Sequence, residues 1–257
     1  MFRRLRLPAI PSGPPTLLRR PQARLLALVA VRDGMRYLPG FVANVAPQVD
    51  GIVALDDGSS DGSAEFLEQI TAVLELLRIP RDRATWDEPG NHRALVEAAL
   101  RHRADWLLCV DVDERLEREF RVRADRVIRR GRLLGCSAYA VRLRELWDSP
   151  DAYRVDGIWG RKAVARLFRA RADHEFDPRP LHGHKAPLQT RRLGSYWLAD
   201  LNLYHLGMLQ ADDRLARRRR YELADPDNLW QPMGYAYLTD EVGRTLVGID
   251  PRRRYVE

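Results

Sequence analysis

The sequence predicts an α/β fold, a mostly parallel sheet flanked by helices, on three observations. Apolar runs of strand length recur at residues 25–31, 51–55 and 106–110, and each ends in a loop of acidic or small polar residues. Segments with apolar residues at helical spacing lie between them. The 257 residues, 45% of them hydrophobic and 8% aromatic, are enough for one large domain with a sizeable core.

The elements follow in order. Residues 25–31 read as a fully buried strand that stops at Arg32-Asp33-Gly34, and a helix is expected over 37–45. Residues 51–55 form the next strand, running into Asp56-Asp57-Gly58-Ser59-Ser60-Asp61-Gly62. Phe66, Ile70, Val73, Leu74 and Leu77 fall at helical spacing, with Asp61 or Ser63 as the cap, and a third strand is expected near 78–82. Leu95, Ala98, Ala99 and His102 mark a further helix, followed by the strand 106–110. Such alternation implies βαβ units with right-handed crossovers, and ligands bind such sheets beyond the carboxyl ends of the strands. Asp33, Asp57, Asp111 and Asp113 are therefore expected on one rim.

After Glu114 the pattern changes. A charged helix is expected over 117–130, then strands at 138–146, 163–168 and 197–204 with little helix between them. This reads as a mixed-sheet extension forming an acceptor side. The expected division is a flexible basic arm at 1–22, a catalytic domain at 23–225 with halves 23–115 and 116–225, and a C-terminal extension at 226–257.

Composition narrows the partners. Lys and Arg total 43 against 36 Asp and Glu, a net charge of +7, which suits nucleic acid, an anionic membrane surface or phosphate-bearing small molecules. Acids gathered on one rim argue against nucleic acid there. The two cysteines, Cys109 and Cys136, sit in no metal or redox spacing and read as buried hydrophobes of a reducing compartment. The longest clean apolar run is far shorter than the roughly 20 residues that cross a bilayer. A cytoplasmic location follows, with contact at the inner face of the membrane left open.

Two carboxylates at i and i+2 beyond a strand end can share a divalent cation once the strand has turned into a loop, and a hard cation relieves their repulsion. Here Asp111-Val112-Asp113 follows one unit after Leu55-Asp56-Asp57-Gly58-Ser59-Ser60-Asp61-Gly62. The two motifs in this order resemble those of the inverting nucleotide-sugar glycosyltransferases of family 2, which have the Rossmann-like GT-A fold. The resemblance is good over 25–114 and looser to about residue 221. It implies that Asp57 contacts the base or ribose, that Val31 and Asp33 contact the base, and that Arg93 packs near it. It also implies that Asp111 faces the ribose and metal and that Asp113 ligates Mn²⁺ or Mg²⁺. The implied reaction moves a sugar from a nucleotide-diphosphate sugar to an acceptor hydroxyl with inversion. His205, closing an apolar run before Leu206-Gly207, is the candidate for one further metal ligand. The acceptor, whether glycan, lipid-linked or small molecule, is not readable from the chain.

An inverting transfer needs a base for the acceptor hydroxyl. Relatives carry an acid in an E-D or H-E motif, and here Leu181-His182-Gly183-His184 has glycine in place of the glutamate. His182 is the first candidate, with Glu175, Asp148 and Asp156 as alternatives. Trp147, Trp159 and Tyr153 are candidates for stacking on a sugar. A helix over 210–223, carrying Arg214 and Arg217 to Arg220, could steer a diphosphate or an anionic lipid-linked acceptor. The rival readings are a haloacid-dehalogenase-type phosphatase, which also uses D-x-D after a strand, and a basic nucleic-acid-binding or non-catalytic protein on the same fold.

Overall fold

The structure is a computed structural model that describes residues 22–81, 87–179 and 181–256. The expected arm therefore lies almost wholly outside the described residues. Ten strands and five α-helices follow in order: β1 Leu25–Val31, α1 Leu38–Val45, β2 Ile52–Asp57, α2 Ser63–Glu68, β3 Val73–Ile79, α3 Glu88–Arg101 and β4 Trp106–Cys109. Then come β5 Glu114–Leu116, α4 Phe120–Leu134, β6 Ala138–Glu145, β7 Ala152–Arg154, β8 Ala163–Arg169, β9 Trp197–His205, α5 Ala211–Ala224 and β10 Leu246–Gly248.

Eight strands form one sheet in the order β3-β2-β1-β4-β8-β6-β9-β5. The first four are parallel, as the βαβ pattern requires. β8 runs antiparallel to β4 and β6, β6 pairs parallel with β9, and β9 pairs antiparallel with β5. The mostly parallel first half and mixed second half match the GT-A-like expectation. Alternate side chains of β1 enter two different cores: Leu25, Ala27 and Val29 pack with Phe41 and Phe120, and Leu26 and Leu28 pack with Leu95 and Ala99. That two-sided burial explains why the strand reads as an unbroken apolar run.

The segment after β2 departs from the expectation. The helix ends at Glu68, and Val73, Leu74 and Leu77 belong to β3, which overlaps the expected 78–82 strand only at residues 78 and 79. The run VLELLRI satisfies both periods over so short a stretch, and pairing along β2 decides for the strand. The short strands β5, β7 and β10 had no expectation.

The C-terminal segment packs back on the body. β10 pairs with β7, and Arg253 reaches the buried carboxylate of Glu117. Buried Asn44 on α1 ties three parts together, donating to the carbonyls of Leu116 and Val256 and accepting from the Leu116 N–H. Asn44→Ala leaves buried backbone groups without partners, so unfolding free energy in urea is expected to fall by about 1–3 kcal/mol.

Candidate active site

The C-terminal ends of β2, β1 and β4 are neighbours, which puts Asp57 and Asp111 two strand spacings apart, about 10 Å. The loops after β1 and β2 are laced together. Asp33, at φ 51°, accepts from the backbone and hydroxyl of Ser60 at 2.7 and 3.1 Å, and its N–H donates to Ser59 Oγ. Asp61 accepts from Met35 N–H at 2.8 Å and from the Ser63 hydroxyl at 2.6 Å. Burial opposes ionisation of Asp61, but these hydrogen bonds outweigh it and lower its pKa. Asp33 and Asp61 thus brace the rim. Asp57 is buried at the end of β2, 3.8 Å from the Arg32 guanidinium. Val31 has its side chain in the core, so it can offer only backbone to a ligand.

Asp111 and Asp113 part company in the turn that follows β4. The Glu114 N–H donates to the Asp111 carbonyl, and the Asp111 N–H donates to Glu114 Oε2. Asp111 then accepts from Arg166 at 2.6 Å and from Lys185 at 2.5 Å. Burial works against its charge, yet Arg166 and Lys185 hold it well below the usual carboxylate range. Buried Glu114 shares Arg166 at 2.7 Å, and burial pushes its pKa up.

Asp113 meets a second cluster that strand register assembles. Glu145 on β6, His205 on β9 and Glu114 on β5 are side by side in the ladders, and the Leu206 N–H donates to the Asp113 carbonyl. His205 Nδ1 bonds the fully buried Glu145 carboxylate, which also pairs with Lys162. His205 Nε2 lies 3.0 Å from Asp113 Oδ2 and 2.8 Å from Arg217 Nη1. Burial disfavours the charged ring, but Glu145 and Asp113 raise its pKa to about 10. A bare Nε2 accepts from Arg217, and a protonated one donates to Asp113.

Asp113 and His205 are the pair a divalent cation would use by displacing the Nε2 proton, with Glu145 fixing the imidazole as a carboxylate commonly does behind a metal-bound histidine. Asp111 is committed to Arg166 and Lys185. Among the described residues no three His, Cys, Asp or Glu side chains form a metal-holding group. The donors therefore fit a cation that takes its other ligands from phosphate and water, and not one caged by three protein carboxylates or imidazoles. Gly207 makes this approach feasible, because a Cβ there would stand 2.4 Å from Asp113 Oδ2 and 2.9 Å from His205 Nε2. Gly207→Ala forces the Asp113, His205 and Arg217 side chains apart, so cation-dependent donor binding in calorimetric titration is expected to be lost, and binding equal to wild type would contradict this placement.

Beside Asp111, a small cavity of about 30 Å³ lies between β1, β4 and α3, lined by Ala30, Glu88, Asn91, His92 and Lys185. Arg93 is exposed on α3 and does not line it; the inward positions are Asn91 and His92. Burial lowers the His92 pKa to about 3, so its ring is neutral.

The base candidates also separate. Asp148 is paired with Arg214 and Arg244, Asp156 with Arg154 and the Thr245 N–H, and Glu175 is exposed on the loop after β8. His182 remains, at φ 57° with its ring packed beside Tyr221 and Tyr235, its Nε2 3.1 Å from the Tyr235 hydroxyl. Trp147 and Trp159 are buried, and cations already cover them: Arg154 and Arg214 lie 4.5 and 4.2 Å from the Trp147 ring. Those two cannot stack on a sugar, and Tyr153 has Arg144 over its face. Arg214 is buried and bonds Met208, Leu209 and Asp148, so it does not face solvent as the helix pattern suggested.

Sequence reasoning missed Lys185, Glu145, Glu114 and Arg166, and gave Arg217 only a steering role on its helix.

Residues 29–124 match the family model described as glycosyl transferase family 2, a span that holds both the Asp-Asp-Gly-Ser loop and the Asp111/Asp113 pair. That span is what the chain shares with the family, within a sheet that is parallel over β3-β2-β1-β4 and mixed beyond it. It is 26% identical over 247 residues to an uncharacterized protein of Mycobacterium tuberculosis, a match covering 90% of this chain and 59% of the relative. It is 29% identical over 168 residues to a TPR repeat-containing protein of Synechococcus elongatus, covering 62% of this chain and 35% of that one. Staphylococcus aureus TarS superposes with a TM-score of 0.49 at 12% identity, over 82% of this chain and 41% of TarS. The chain thus spans 59% or less of the length of these relatives. No helix among the described residues is long and apolar enough to cross a membrane.

Proposed function

We propose that the chain transfers a sugar from a nucleotide-diphosphate sugar to an acceptor hydroxyl, with inversion, at the rim formed by β2, β1 and β4. The observation that carries this reading is the meeting of buried acids with a ring of cations at the strand ends. Asp57 and the backbone after Val31 lie where a base and ribose would enter. Lys185, Arg166 and Arg217 surround the Asp111 and Asp113 carboxylates, where two phosphates would lie.

Asp113 and His205 would hold Mn²⁺ or Mg²⁺, which when bound neutralises charge on the leaving diphosphate. The chain's own cations act in the same sense. As the bond from the anomeric carbon to the phosphate oxygen breaks, negative charge grows on that oxygen, and preorganised Arg and Lys stabilise it more than the ground state. The acceptor oxygen bonds to the anomeric carbon from the opposite face and gives its proton to His182. Burial lowers the His182 pKa, so at neutral pH its ring is bare and ready to accept. The test is release of nucleoside diphosphate from UDP-, GDP- and dTDP-sugars, with and without Mn²⁺; no release from any donor would refute the reading.

An acceptor held at an anionic membrane is supported by one surface. Arg219 and Arg220 are exposed on α5 a turn from exposed Leu223, and Leu229 and Trp230 extend the apolar part. Co-sedimentation with phosphatidylglycerol vesicles but not phosphatidylcholine vesicles is expected, and equal binding to both would contradict it.

A further inference from the structure

His182 sits at one end of a hydrogen-bonded chain that no motif announced. The Tyr235 hydroxyl lies 3.1 Å from His182 Nε2 and donates to Asp225 Oδ2 at 2.8 Å. Tyr235 and Asp225 are each only 2% exposed. Asp225 closes α5, and its carboxylate also accepts the backbone N–H groups of Leu229, Trp230 and Gln231 at 2.7, 3.1 and 3.2 Å. The Tyr221 ring stands 5.2 Å from both His182 and Tyr235, so the imidazole is held from the side as well.

We infer that Tyr235 and Asp225 are positioning residues that fix the tautomer of His182 and turn its Nδ1 lone pair toward the acceptor. The inference rests on the transferase reading above. Its logic is one of donors and acceptors. An ionised carboxylate only accepts, so Asp225 accepts the hydrogen bond of the Tyr235 O–H, and the phenolic oxygen is left to accept. The ring nitrogen facing it must then carry hydrogen. Nε2–H donates to Tyr235, and Nδ1 is the bare nitrogen. During transfer the acceptor hydroxyl proton moves to Nδ1, the acceptor oxygen bonds to the anomeric carbon, and the electron pair of the breaking bond leaves with the diphosphate. The imidazolium so formed keeps Nε2–H on Tyr235, with the Asp225 charge one hydrogen bond away. Glu88, Lys162, Arg179 and Asp225 are the charged groups whose fields reach His182, so Asp225 is not its only electrostatic neighbour.

The test is nitrogen-15 NMR of the full chain labelled at its 6 histidines, with His182 assigned by the signal lost in His182→Gln. The Nε2–H tautomer is expected in the wild type, and a mixed tautomer in Tyr235→Phe. Asp225→Asn, whose amide can donate to the phenolic oxygen, is the second variant and is expected to mix the tautomers too. In both, turnover should fall about tenfold or more with the donor KM unchanged, as expected for weakened general-base catalysis. Melting curves verify that each variant is folded. An Nδ1–H tautomer in the wild type, or an unchanged tautomer in both folded variants, would overturn the inference. The NMR readout needs no substrate. A fixed Nε2–H tautomer that both variants loosen, in a chain that turns over no donor, supports the positioning and sinks the transferase reading instead.

Discussion

Asp113→Ala is expected to lower cation-supported release of nucleoside diphosphate about a thousandfold, the several kcal/mol typical of an electrostatic group at a leaving phosphate. The size follows from what the carboxylate touches. Asp113 is the acidic partner of His205 at 3.0 Å and lies 4.0 Å from Arg217. Removing it deletes one of two donors for the cation and leaves a net positive cluster. That cluster still attracts phosphate, so donor binding should persist while its dependence on Mn²⁺ disappears. Initial rates over a Mn²⁺ series measure both effects at once. A variant that keeps the wild-type Mn²⁺ dependence would show that the cation, if needed, is held elsewhere.

His182→Gln is expected to cut transfer by about 10²–10⁴-fold, the usual contribution of a general base. Glutamine can still hydrogen-bond Tyr235 but cannot take the proton. Donor affinity should be unchanged, since His182 bonds Tyr235 and touches neither Asp111 nor Asp113. The wild-type rate should fall as pH drops below the histidine range, because burial lowers the His182 pKa and protonation removes the base. An equal loss in donor affinity and rate would place His182 on the donor instead.

Much of the nucleotide half was legible because its signals are local. β1 and β4 are unbroken apolar runs buried on both faces, and the acids that follow them sit where a parallel sheet opens. Val73 to Leu77 was misread because so short a run with apolar positions at both periods cannot declare its own structure. The second half of the site was far less legible. Glu145 and His205 are 60 residues apart and meet only because β6 and β9 pair in parallel with those two positions in register. Lys185 reaches Asp111 from a loop 74 residues on, with no periodicity to announce it. Trp147 and Trp159 looked available for a sugar, but the cations that cover them come from β7 and α5, a long-range contact. Asp111 was expected as a metal ligand from its spacing, and the motif gave no sign of the Arg166 and Lys185 side chains that bond its two oxygens.

The most direct measurement is the melting temperature of the chain with UDP-, GDP- and dTDP-sugars, with and without Mn²⁺, beside the same series in Asp113→Ala. One nucleotide class should raise the wild-type melting temperature by several degrees with Mn²⁺, as a ligand at about a hundred times its Kd does for a domain of this size, and by less without it. In Asp113→Ala the Mn²⁺ increment should vanish. No shift with any donor, or an increment that survives in Asp113→Ala, would contradict the assignment of this rim to nucleotide-sugar chemistry.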